Sequence, residues 1–130
     1  MRDDVRKKLI EVAKNGETIT YGALMKEFGI PRGHQKPEIG IAGAVDAING
    51  YERAKGHPLL SAIVVRANSK TKICPKGHPG GGFFGLEGIP GHLKRFKDHT
   101  KATLTTGEKE FVREEQEKVW SYWKTHDDED

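Results

Sequence analysis

Thr18-Ile-Thr-Tyr-Gly-Ala-Leu24, then Ile39-Gly-Ile-Ala-Gly-Ala-Val45, then Leu59-Leu-Ser-Ala-Ile-Val-Val65 and, after a basic loop, Gly80-Gly-Gly-Phe-Phe84 are the stretches that decide the fold. The first has the polar-to-apolar onset of a short helix, and the second is a helical run of small residues. The third is a near-continuous apolar, β-branched segment, and the fourth is a glycine-rich loop ending on two aromatic anchors. Helix, turn, helix, strand and loop in that order predict an α+β fold. We read it as a winged-helix-like helix-turn-helix with a small β element and a C-terminal helix.

Working outward, Val5, Leu9, Val12 and Ala13 recur at helical spacing, with Asp3 or Asp4 placed to cap that first helix and Gly16 to stop it. Thr20 is an N-cap for a helix over Tyr21 to Phe28, ended by Gly29 and Pro31. Pro37 begins a third segment with Ile41, Ala44, Val45 and Ile48 on one face; Gly40 and Gly43 each weaken it by up to about 1 kcal/mol against alanine. Such glycines fit a position of close approach by a neighbouring helix or a nucleic-acid backbone. Tyr51 to Lys55 adds a turn before Gly56.

Leu59 to Arg66 reads as a strand, Asn68 to Thr71 as a turn, and Ile73 as the start of a return strand. Gly85 to Thr103 reads as a long surface connection, since few of its apolar residues are periodic. Thr105 or Thr106 caps a last helix, on which Phe111, Val112, Val119, Trp120 and Trp123 form one stripe for the core. Its glutamates, Glu108, Glu110, Glu114, Glu115 and Glu117, read as the solvated face, with Glu114 and Lys118 as an i,i+4 pair.

The 130 residues suit a single domain, which we place at 1–126, followed by an acidic tail at 127–130. The four acidic residues of that tail leave 15 carboxylates against 22 basic side chains, so a net charge of +3 conceals a body of +7. The basic residues gather at Arg32 to Lys36, at Arg66 to Lys76 and at His92 to Lys101, where phosphate contact is plausible on charge alone. No apolar run approaches the roughly 18 residues of a membrane span, and Met1-Arg-Asp-Asp4 lacks the core of a signal peptide. A cytoplasmic protein is expected, and the single cysteine, Cys74, fits a reducing compartment.

The order Ile19-Thr-Tyr-Gly22, Ile39-Gly40 with small residues after it, Leu60-Ser-Ala-Ile-Val-Val65 and Gly80-Gly-Gly-Phe83 resembles the C-terminal, DNA-binding domain of alkylguanine-DNA alkyltransferases and alkyltransferase-like proteins. The likeness covers about half of the chain. The chain also looks like a set of small bacterial proteins with a Tyr-Gly-x-Leu start and a Gly-Phe ending. The alkyltransferase resemblance implies a winged helix on double-stranded DNA, with Tyr21 against the phosphate backbone. It does not carry the chemistry across. The family's strand holds Pro-Cys-His-Arg, whose cysteine takes the alkyl group; here Leu60-Ser61-Ala62-Ile63 stands at those places. A serine with no neighbouring base is a poor nucleophile, so alkyl transfer is not expected. Lys36-Pro37-Glu38 also lacks the family's base-displacing arginine.

These residues predict a non-catalytic DNA-binding protein, in repair, defence or regulation, with Tyr21, Arg32, His34, Lys36, Arg66, Lys70, Lys72 and Lys76 as its DNA contacts. The alternative is a protein-interaction module that presents the C-terminal helix or the Gly85 to Thr103 connection to a partner. A third reading makes His78, His92 or His99 a general acid or base. Cys74 with His78, His92 and His99 lacks the second ligand pair that makes zinc spacings specific, so no metal and no cofactor is assigned. Cys74 itself reads as a free surface thiol, with Lys72 and Lys76 near enough in sequence to lower its pKa.

Overall fold

The computed structural model describes residues 1–30, 40–86, 89–93 and 104–127. Its elements are α1 (Asp3–Lys14), β1 (Ile19–Thr20), α2 (Tyr21–Phe28), α3 (Ile41–Ala54), a 3-10 turn (Leu60–Ile63), β2 (Val64–Val65), a second 3-10 turn (Gly81–Gly85) and α4 (Thr106–Thr125). This is an α+β arrangement of four α-helices with one two-stranded sheet among the described residues. The strands are parallel, with Ile19 beside Val64 and Thr20 beside Val65, so α2 and α3 form the crossover that a parallel pair requires.

The helix boundaries follow their capping chemistry. The N-cap of α1 is Arg2 rather than Asp3 or Asp4, both of which lie inside the helix; the Arg2 guanidinium binds Asp4, whose Oδ1 accepts from Val5 N at 2.9 Å. Beyond α1, Gly16 adopts φ +66°, a conformation that a side chain rarely tolerates. Thr20 Oγ1 caps α2 by accepting from Ala23 N at 3.1 Å, and Gly29 closes it in the left-handed region. Gly40 is the N-cap of α3; Pro37, the expected start, lies outside the described residues. α4 opens with a capping box, in which Thr105 Oγ1 accepts from Glu108 N at 3.1 Å and Glu108 Oε1 from Thr105 N at 2.9 Å.

The segment from Leu59 to Arg66 departs from the strand expected of it. Only Val64 and Val65 are extended, and Leu60–Ile63 coils into a 3-10 turn. The backbone there finds its partners in side chains rather than in a second strand. Ser61 N and Oγ both donate to Asn49 Oδ1, Gln116 Nε2 donates to the Ala62 carbonyl at 3.0 Å, and Ala62 N bonds back to Leu59 O. A segment enclosed by α3 and α4 satisfies its polar groups in this way without a sheet. No return strand starts at Ile73, because the Thr71 N to Cys74 O bond turns the chain there.

Two apolar clusters share α4. Val119 and Trp123 join Val5, Leu9, Leu24, Ile48, Leu60 and Ile63 in the first. Val112, one turn pair earlier, joins Leu59, Ala62, Cys74, Phe83, Phe84, Ile89 and Leu104 in the second. The aromatic stripe of α4 thus packs inward, each fully buried large side chain contributing about 1.5–3 kcal/mol. Phe83 and Phe84 meet edge to face at 5.1 Å between centroids. Ile89 is buried and Leu93 packs on the second cluster, so the described part of the Gly85 to Thr103 connection is partly core and not the surface segment expected. The glutamate face is also divided. Glu108 and Glu115 are buried, and Lys118 pairs with Glu115 at 3.2 Å rather than with Glu114.

Candidate functional site

Tyr21 is the first residue of α2 and half-buried. Burial pushes its hydroxyl up to about 12, against the opposing influence of a hydrogen bond from the Gly80 backbone and of the nearby Arg66 guanidinium. Tyr21, Gly80 and Arg66 are therefore neighbours, although 14 residues separate the last two in sequence. Arg66 is exposed immediately after β2, and its Cδ would lie 3.3 Å from a Cβ placed on Gly80. Glycine at position 80 lets the arginine stem cross the loop backbone closely.

The loop from Arg66 to Gly80 is closed on itself. Arg66 N donates to His78 O at 3.0 Å, Ser69 Oγ donates to Arg66 O at 2.7 Å and also accepts from His78 N at 3.0 Å. Lys70 and Lys72 are exposed on this loop. Lys76 is exposed too, but its ammonium donates to Gly16 O, lies 3.8 Å from Glu17 and stands 5.2 Å from the Trp120 ring centroid. Those contacts anchor the loop to the end of α1 and to α4. Arg32, His34 and Lys36 lie outside the described residues.

The residues considered for chemistry are placed differently from a working set. Ser61 is 1% exposed and its hydroxyl donates to Asn49 Oδ1 at 2.8 Å. Cys74 is buried, not at the surface, and its Sγ sits 3.5 Å from the Lys109 carbonyl. Burial raises the thiol pKa, outweighing Thr71, Arg113 and Lys109, so the lowered value suggested by Lys72 and Lys76 is corrected. His78 is buried with Nδ1 2.9 Å from Pro79 O, His92 is exposed, and His99 lies outside the described residues. Among the described residues no three histidine, cysteine or carboxylate side chains gather to hold a metal ion. No helix among them is long and apolar enough to cross a membrane.

Sequence reasoning missed one constellation. Glu52 on α3 is fully buried; its Oε1 accepts from Arg6 Nε of α1 at 2.6 Å and its Oε2 faces His57 Nδ1. The Arg6 guanidinium lies over Tyr51 and near Trp123, 4.6 and 5.8 Å from their ring centroids. His57 borders an open groove of about 910 Å³ beside the C-terminal ends of α3 and α4. The signal was present in the pattern. Glu52 continues the apolar positions Ile41, Val45 and Ile48, and Arg6 adjoins Val5 and Leu9, so opposite charges occupy buried positions on two helices.

No family profile, no curated protein and no solved structure matches this chain.

Proposed function

We propose that this chain is a non-catalytic DNA-binding protein of winged-helix type, which lays the start of α2 and the loop from Arg66 to Lys72 along the phosphate backbone of duplex DNA. The observation that carries the reading is the meeting of the Tyr21 hydroxyl with Arg66 over Gly80, beside the exposed Lys70 and Lys72. A phenol donor, a guanidinium and two ammonium groups on one loop and one helix start are the donor set that phosphate oxygens take. The body charge of +7 supplies the long-range attraction. Lys76, also expected among the DNA contacts, holds the loop to α1 and α4 in this reading.

Fluorescence anisotropy with labelled duplex and single-stranded DNA tests it. Duplex binding should weaken steeply as salt rises. Arg66→Ala and Lys70→Ala should each lower affinity to a similar extent on unrelated sequences, and each should flatten the log–log salt slope by about 0.9. Equal affinity of wild type and both variants, or no binding at low salt, refutes the placement.

A further inference from the structure

α4 carries a polar residue where its core stripe calls for an apolar one. Val112, Gln116, Val119 and Trp123 recur at helical spacing and all four are buried, Gln116 completely. Val112 belongs to one apolar cluster and Val119 and Trp123 to the other, so an apolar side chain at 116 would join the two. Glutamine forgoes that gain and has an amide to satisfy. Its Nε2 donates to Ala62 O and to Gly77 O, both at 3.0 Å. Two carbonyls can only accept, which fixes the orientation of the amide, while Oε1 has no hydrogen-bond partner among the described residues. The side chain therefore serves through its donors.

Those two carbonyls stand at the neck of the loop that carries Arg66, Lys70 and Lys72. Ala62 comes just before β2, Gly77 lies near the end of the loop, and the two passes of chain are joined by the Arg66 N to His78 O bond. The same helix meets the loop on either side of Gln116: the Lys109 carbonyl faces Cys74 Sγ at 3.5 Å, Arg113 donates to Ile73 O at 3.3 Å, and the Trp120 ring centroid lies 5.2 Å from the Lys76 ammonium. Gln116 ties both passes of chain to α4 from a fully buried position. Resting on the DNA reading, we propose that Gln116 is the positioning residue that presets this loop, so that Arg66, Lys70 and Lys72 meet phosphate oxygens together without reordering on contact.

The test uses the full chain and Gln116→Met, which keeps the shape of the side chain and removes both donors. Amide hydrogen exchange read by NMR should show the Arg66 and Gly77 amides of the variant exchanging about ten-fold faster, with the amides of α3 unchanged. A loop that holds its binding form for only a fraction of the time loses affinity by that fraction and makes the same phosphate contacts once bound. Duplex affinity should therefore fall about ten-fold on unrelated sequences with an unchanged log–log salt slope, whereas Arg66→Ala flattens that slope. Ile48→Val, which weakens the other cluster, is the control for lost stability and should alter neither loop exchange nor affinity. If Gln116→Met does not fold, wild-type protein decides: a preset loop protects the Arg66 and Gly77 amides before DNA is added and gains no further protection with it. The proposal is overturned if loop exchange in the variant matches wild type, if its salt slope flattens, or if the wild-type loop gains protection only with DNA. Failure of the inference alone leaves wild-type binding intact and the variant equal to it. Failure of the DNA reading differs, because wild-type protein then binds no duplex at low salt, and the proposal falls with it.

Discussion

At the scale of the residue, Tyr21 shows how one position serves both fold and site. Its place at the start of α2 was legible, because Thr20 is a good cap and the residues that follow are apolar. That its hydroxyl would meet Gly80 and Arg66 was not, since only the parallel pairing of β1 with β2 brings those segments together. The suppressed acidity has a definite consequence. The phenol stays protonated in the fold above its ordinary value of 10.0, up to about 12. The unfolded chain ionises first, so stability is intact below about pH 10 and declines as pH rises towards 12. Tyrosinate absorbance should show one of the three tyrosines titrating late, and Tyr21→Phe should abolish that late phase while reducing the alkaline loss of stability. A late phase that persists in the variant would assign the shifted group elsewhere. Arg6, Glu52 and His57 were less legible because a sequence states charge and spacing, whereas their partnership depends on which helix faces which.

Elements were legible wherever local chemistry fixes them. α2 and α4 begin where threonine caps place them, and α2 ends at its glycine stop, since capping needs only residues a few positions apart. The strand expected over Leu59 to Arg66 failed for the opposite reason. Its β-branched residues were read correctly, but the hydrogen-bond partners that decide its form, Asn49 and Gln116, come from distant helices. The loop that follows is held by conformation as much as by bonds. Gly77 has φ +97°, and a Cβ there would stand 2.9 Å from Ser69 Oγ and 3.1 Å from Val65 Cγ2. Gly77→Ala should therefore cost about 1–3 kcal/mol by urea unfolding, the usual range for a residue forced into such a region. Because Ser69 holds both Arg66 and His78, the same change should displace the Arg66 loop and weaken DNA binding beyond the lost stability. An alanine variant as stable as wild type would mean that the loop relaxes freely and that Gly77 does not set its shape.

For the whole molecule, charge distribution is the property on which the proposed function turns. The body carries +7 and the four residues of the tail carry −4, so the sign of the far field is set by the body while its strength is more than halved by the tail. The tail's first residue is already engaged: Asp127 Oδ1 lies 2.5 Å from Lys14 Nζ, and that ammonium holds the carboxyl below its ordinary value. Asp127 is largely exposed and Lys14 partly so, so this pair responds to salt and does little to hold the fold. A chain ending at His126 should bind duplex DNA more tightly than the full chain at low ionic strength. The difference should shrink towards physiological salt, where screening confines charge effects to about 8 Å. Asp127, the tail residue among those described, belongs to neither core cluster, and the thermal midpoint should hardly change. Equal affinities at low salt would place the tail too far from the basic face to compete with phosphate. A gain that survives high salt would instead mean that the tail sits directly on the DNA-binding surface and must be displaced from it, a steric block that removal of charge alone, by Asp127→Asn, would not relieve.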